Sequence, residues 1–332
     1  GTRRCLEASD GLLHNRRMKP APPIRLGISS CLLGQKVRYD GNHRHDRFIT
    51  GTLGKYFEFV PVCPEVAIGL GVPRPPIRLV GNPAAPRAVG VADPTLDVTR
   101  KLIVYGQRMA RTLDAISGYI LKSRSPSCGM ERARVYGGGR VRNGRGVYTA
   151  AFLARQPLLP VEEEGRLGDP ELRNNFIERV FAYRRWQALI ESGLTAPRLM
   201  VFHDAHRLAL LTHGERPYRE LERLVARAGR RNTRRVGAEY IRLFMAALKY
   251  RATRVRHARV LRRAAGYLKK YLKAHEKAAL LDLIDAYRRG IPPLAAPVTL
   301  LRRYALRHPD PRLSKQTYLC PDASEFSLRY RT

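Results

Sequence analysis

The apolar residues of this chain keep two different rhythms. Between residues 24 and 165 short apolar runs alternate with polar loops, and beyond residue 197 apolar positions recur only at intervals of three and four. The runs "IRLGIS", "FEFVPV", "RAVGVA", "SGYILK" and "VYTAAFL" have the length and β-branched or aromatic content of buried strands. Between them, "VTRKLIVYGQRMARTLDAI" sets Val98, Leu102, Tyr105, Met109 and Leu113 on one helical face. Strands alternating with helices predict an α/β domain with a mostly parallel sheet over residues 24–165. Next, "DPELRNNFIERVFAYRRWQALIESG" predicts a bridging helix within 166–196, with Asp169 as N-cap, Pro170 at the first helical position and Gly193 as its stop. Residues 197–332 predict an all-α domain. Residues 1–23 have no periodicity and read as a disordered lead-in, in which "MKPAPP" is extended and Met18 is a candidate start.

Charge changes this picture. The formal net charge is +34, from 62 Lys and Arg against 28 Asp and Glu. Residues 227–273 hold 16 Lys and Arg and a single acid, Glu239. A solvated helix face mixes signs so that neighbours pair across a turn, and here the partners are missing. In "RVRHARVLRRAAGYLKKYLKA" the residues Val255, Ala258, Leu261, Ala265, Leu268 and Leu272 form an apolar stripe, with the cations on other faces. Phosphate relieves such self-repulsion, so nucleic acid is the expected partner, and Arg256, Arg259, Arg263, Lys269, Lys270 and Lys273 are its candidate contacts. The plainer alternative is an Arg-rich composition spread over ordinary surface. Tyr250, Tyr267 and Tyr271 are interleaved with the charges, suited to base stacking or to helix packing.

No apolar run approaches the roughly 20 residues of a membrane helix and no leader pattern opens the chain, which predicts a cytoplasmic protein. Five cysteines are sparse and odd in number, which favours reduced thiols or metal ligands over disulfides. Cys31, Cys63 and Cys128 each follow a predicted strand, and strand ends of an open α/β sheet converge on one crevice. A structural zinc site would want a fourth ligand, an iron–sulfur cluster on three cysteines would keep one iron open, and three separate buried thiols would serve as small hydrophobes.

The motifs "SSCLLGQKVRYDG", "VPVCPEVAIGLGVPRPP" and "LKSRSPSCG" resemble the TudS-type thiouracil desulfidase domain over residues 24–160. The second half, through "FHDAHRLALLTH", "RHARVLRRAAGYLKK", "YRRGIPPLAAPVTLLRRY" and "QTYLCP", resembles the helical domain fused to it in the RudS-type desulfidases, which convert 4-thiouridine in tRNA to uridine. The resemblance implies a [4Fe-4S] cluster on Cys31, Cys63 and Cys128 with one iron free, catalysis assisted by Glu65 and Ser125, and sulfur removal without net redox change. Ser30, Arg38, Asp40, Arg74 and Ser127 lie within the same motifs as candidate substrate contacts, with bracing of the loops as the alternative. Two other readings remain: a desulfidase for free thiouracil or thionucleotides, and a non-catalytic RNA-binding protein with a structural metal. No obligate protein partner is expected. "YGGGRVRNGRG" reads as a hairpin, His203, His206 and His213 as neighbours on one helix face, Cys5 as part of the lead-in, and Cys320 has no assigned role.

Overall fold

In the computed structural model, residues 23–330 are described. The lead-in, apart from Pro23, and Cys5 lie outside them. The first unit contains the strands β1 (Ile24–Ser29), β2 (Phe57–Val62), β3 (Ile77–Asn82), β4 (Ala85–Gly90), β5 (Gly118–Leu121), β6 (Ala133–Gly137), β7 (Arg140–Gly144) and β8 (Val161–Glu163). Its helices are α1 (Arg47–Gly51), α2 (Pro64–Ala67), α3 (Thr99–Thr112) and α4 (Val147–Arg155). A long helix, α5 (Pro170–Glu191), follows, and the compact units divide inside it, between Phe176 and Ile177.

One sheet has the order β2-β1-β5-β8 and is parallel throughout. The chain passes from β1 to β2 on one side and reaches β5 on the other, so the strand order reverses at β1. A crevice opens outside the carboxyl ends at such a reversal. Leu26, Ile28, Ile120 and Leu121 in its central strands are fully buried, as expected where both faces are covered. Gly27 is required here: a Cβ on it would stand 2.5 Å from the Tyr119 ring. The second sheet, β4-β3-β6-β7, pairs β3 with β6 in parallel and is otherwise antiparallel. Its β6–β7 hairpin turns on Gly138 and Gly139, both at positive φ, as the sequence predicts.

One strand expectation is corrected. "VYTAAFL" forms α4, whose Val147, Tyr148, Thr149 and Phe152 are all buried. A helix covered on several sides shows a continuous apolar run, which over seven residues imitates a buried strand. The strands β3 and β8 were not among the expected runs, and β6 and β7 were anticipated only as a hairpin. Asp169 caps α5 by accepting from the backbone N–H of Glu171 and Leu172, and Gly193 follows at positive φ.

Helices make up the second unit: α6 (Ala196–Ala205), α7 (Arg207–His213), α8 (Glu215–Ala226), α9 (Thr233–Lys249), α10 (Arg254–Tyr267), α11 (Ala274–Arg288), α12 (Ala295–Arg307), α13 (Pro311–Ser314) and α14 (Ala323–Tyr330). Ala258, Leu261, Ala265 and Leu268 join Leu280, Ile284, Val298 and Leu301 in its core. The predicted stripe is otherwise modified. Val255 is exposed, and α10 ends at Tyr267, so Lys269, Lys270 and Lys273 sit on the turn into α11. The stretch holding the three histidines is broken at His206, between α6 and α7.

Candidate active site

Cys31 lies in a 3-10 turn directly after β1, Cys63 directly after β2, and Cys128 in the loop that follows β5. All three line one cavity of about 580 Å3 at the carboxyl ends of these adjacent strands. Ser30, Arg38, Glu65, Arg74 and Ser125 share its wall. Asp40 does not; it sits 3.5 Å from the Arg38 guanidinium, outside the lining. Ser127 is fully buried behind the wall.

The loop carrying Cys128 is held by α4. Val147 and Thr149 donate backbone N–H groups to the carbonyls of Pro126 and Ser127, and the Thr149 hydroxyl donates to the Cys128 carbonyl at 2.9 Å. A Cβ on Gly146 would meet the Ser127 carbonyl oxygen at 2.4 Å and the Cys128 nitrogen at 2.8 Å, so the loop rests directly on a glycine. Within it, Ser125 Oγ accepts from the N–H groups of Cys128 (3.0 Å) and Ser127 (3.2 Å). Ser125 therefore braces the turn and keeps its own O–H as a donor. Arg124, beside it on the wall, is the one non-glycine at positive φ among the described residues.

Glu65 is fixed from two sides. Arg74 reaches Oε2 with Nε (2.9 Å) and Nη2 (2.8 Å), and Ser127 Oγ donates to Oε1 at 2.9 Å. Arg74 is itself buried and donates through Nη1 to the carbonyls of Val37 and Gly71. Two residues that sequence reading did not single out complete this wall. Lys122 contacts Glu164, and the Ser123 N–H and hydroxyl both donate to the same carboxylate at 2.7 Å. Leu121 and Glu163 are register partners in β5 and β8, so Lys122 and Glu164 are the next residues along the paired strands. Only this pairing connects positions 42 residues apart.

Burial pushes the Cys31 thiol up to about 11, although Lys122 opposes the shift. It also raises Cys63, and raises Cys128 further together with the charges of Cys63 and Glu65. Three thiolates gathered here need a cationic centre to hold them deprotonated. Backbone N–H groups of Val66 and Glu65 are directed at Cys63, and the Ser29 hydroxyl at Cys128. This donor set fits a thiolate-bound cluster. Among the described residues no three His, Cys, Asp or Glu side chains stand close enough for a single metal ion. A multi-iron cluster takes its thiolates on separate irons and does not need them at one point.

The histidines of the helical unit are engaged otherwise. His203 Nδ1 lies 3.2 Å from the Tyr240 hydroxyl, His206 accepts from Arg185 at 3.0 Å, and His213 Nε2 lies 3.2 Å from Glu178. Cys320 packs against the core of the helical unit. Arg259, Arg263, Lys269, Lys270 and Lys273 are exposed, whereas Arg256 is half-buried and donates to the His213 carbonyl. No helix among the described residues is long and apolar enough to cross a membrane.

Comparison with known proteins matches residues 26–164 to the 2-thiouracil desulfurase family model and residues 207–322 to a domain described as a protein of unknown function, DUF1722. The chain is 33% identical over 141 residues to the uncharacterized protein YbgA of Escherichia coli (strain K12), covering 42% of this chain and 83% of that protein. It is 32% identical over 159 residues to the uncharacterized protein YbbK of Bacillus subtilis (strain 168), covering 43% and 97%. Among solved structures it matches the [4Fe-4S]-dependent thiouracil desulfidase TudS at 35% identity, over 44% of this chain and 94% of that one, with a TM-score of 0.34. Cysteine-bearing strand ends on one cavity and a separate helical unit thus coincide with the two matched segments, and the chain belongs to the 2-thiouracil desulfurase family, in the form that joins this domain to a DUF1722 domain.

Proposed function

We propose that this protein is an iron–sulfur-dependent desulfidase that replaces the sulfur of a thiouracil base by oxygen, and that its substrate is 4-thiouridine in tRNA. The observation that carries the reading is the meeting of Cys31, Cys63, Cys128 and a doubly anchored Glu65 around one cavity. Cys31, Cys63 and Cys128 would hold a [4Fe-4S] cluster, which supplies an open iron as Lewis acid for the thiocarbonyl sulfur. Glu65 takes a proton from a water whose oxygen attacks the carbon bearing sulfur. Arg74 and Ser127 hold the carboxylate in place and aimed, and Ser125 directs its O–H toward the base. The C–O bond forms, the C–S bond breaks, and sulfur leaves as hydrosulfide with one proton of the water, while the other passes from Glu65 to solvent. No external electrons are needed.

The tRNA half of the reading rests on the exposed cations of the helical unit, with Arg259, Arg263, Lys269, Lys270 and Lys273 placed to meet phosphates and Arg256 contributing beside them. A second reading, action on free thiouracil, is favoured by one observation: every residue lining the cavity lies between Ser29 and Cys128. The deciding experiment is anaerobic. Protein reconstituted with iron and sulfide is incubated with tRNA containing 4-thiouridine, and that nucleoside is quantified beside a Cys128→Ala control. Its loss with wild type alone is expected. Conversion of free 4-thiouracil with the tRNA left intact would transfer the function to the second reading.

A further inference from the structure

The turn between α10 and α11 brings an aromatic pair to the surface beside three lysines. Tyr271 is 51% exposed, and its ring lies parallel to that of His308 at 5.6 Å and 12°. His308 follows α12, so two distant segments meet in this stack. It is held from behind: Arg307 Nε donates to His308 Nε2 at 2.9 Å, and Arg307 Nη2 reaches Glu276 at 2.6 Å. Glu276 in turn accepts from the backbone N–H of Lys273 at 3.0 Å. At the end of α10, the Arg312 guanidinium covers the Tyr267 ring at 4.3 Å, and Arg207 donates to the Tyr267 hydroxyl.

The hydrophobic effect gains little from this arrangement, because half of Tyr271 stays in water. An exposed ring stacked on an imidazole that is itself fixed by a guanidinium and, through it, a carboxylate is instead prepared for a planar guest. The charges define that guest. Glu276 is taken by Arg307 and Asp310 by Arg312, while Lys269, Lys270 and Lys273 are exposed with no ion-pair partner among the described residues. A flat group next to negative charge is a nucleotide.

We propose that Tyr271 and His308 form a stacking platform for an unpaired base of RNA, with Lys269, Lys270 and Lys273 on the adjoining phosphates. The inference rests on the reading that RNA is bound by the helical unit, and adds the place where a base is gripped. Stacking is tolerant of base identity, so the platform gives affinity and register rather than sequence choice.

The test measures binding of unmodified tRNA and of a ten-nucleotide oligouridylate to the full chain by fluorescence anisotropy over a range of salt. Tyr271→Ala is expected to weaken both by about tenfold. Tyr271→Phe should remain within about twofold of wild type, and neither variant should alter the salt dependence, because no charge is removed. In Tyr271→Trp the new indole should be quenched by saturating oligouridylate. Equal affinity for wild type and Tyr271→Ala, an equal loss in Tyr271→Phe, or unquenched indole emission would overturn the platform. None of these measurements requires the cluster. tRNA binding that ignores Tyr271 would leave the desulfidase reading intact, whereas absent RNA binding in wild type would remove both the platform and the tRNA half of that reading.

Discussion

Among the described residues, Glu65 holds the only carboxylate in the cavity wall, and its two anchors set what it can do. Removing the Ser127 hydroxyl frees one oxygen to rotate, and Ser127→Ala is expected to lower kcat about ten- to a hundredfold with little change in KM. Arg74→Ala leaves a largely buried carboxylate without its cation. The expected cost is about 3–5 kcal/mol of unfolding free energy, read from denaturant midpoints. A full-strength Arg74→Ala fold would show that the pair is not needed to keep Glu65 in place. At this scale the sequence was partly legible. Cysteines after apolar runs could be gathered by the geometry of an α/β sheet, and Glu65 stands two residues from one of them. Arg74 and Ser127 read as substrate contacts or as braces, and the structure gives both a bond to Glu65. Lys122 and Ser123 escaped notice because their partner, Glu164, is set by strand register and leaves no local pattern.

Elements were legible where burial and periodicity agreed. The strands β1 and β2 coincide with the expected runs, and α3 follows the expected apolar face. The helix α4 was misread because its surroundings bury it on several sides, and that same burial gives it a task. Its first turn carries the Cys128 loop on Gly146. Gly146→Ala sets a methyl against backbone rather than against a side chain that can swing away. We expect about 1–3 kcal/mol of destabilisation and a fall in iron bound per chain after reconstitution, measured by iron assay. Undiminished iron content would mean that the loop can shift without loss of the ligand.

At the scale of the molecule, the helical unit responds to two solution variables, pH and salt. In the helical unit, burial and the neighbouring charge of Arg185 press His206 down to about 3, and burial presses His257 to about 3. Burial alone would raise Glu178, but Arg329 and His213 hold it low. The unfolded chain therefore binds more protons than the folded one below about pH 6.5. Stability is full above that pH and falls on acidification, by up to about 1.4 kcal/mol per pH unit for each buried histidine, until pH approaches 3. Trp186, the one tryptophan, is buried in this unit and reports its unfolding in urea. His206→Gln should flatten the slope, and an unchanged slope would locate the protons elsewhere. RNA binding should depend on salt. Arg259→Ala combined with Arg263→Ala is expected to reduce the slope of log K against log salt by about 1.4–1.8 while sparing the His213 contact made by Arg256.

Cavity residues drawn from three strands also tie the site to the direction of protein synthesis. Cys31 and Cys63 emerge first, and Cys128 stands 65 positions beyond Cys63. At about 5–20 residues per second, the ribosome needs on the order of 5–20 s to pass from Cys31 to Cys128. During that interval β5 has not yet joined β1, and the nascent chain offers two thiols without the third. The centre is thus closed by the last of three translated strands, and a metal delivered earlier would meet an incomplete set. If Cys31, Cys63 and Cys128 hold iron as proposed, loading would be a proof of folding: a chain carrying the metal would already have aligned β2, β1 and β5, and unfolding would expel it.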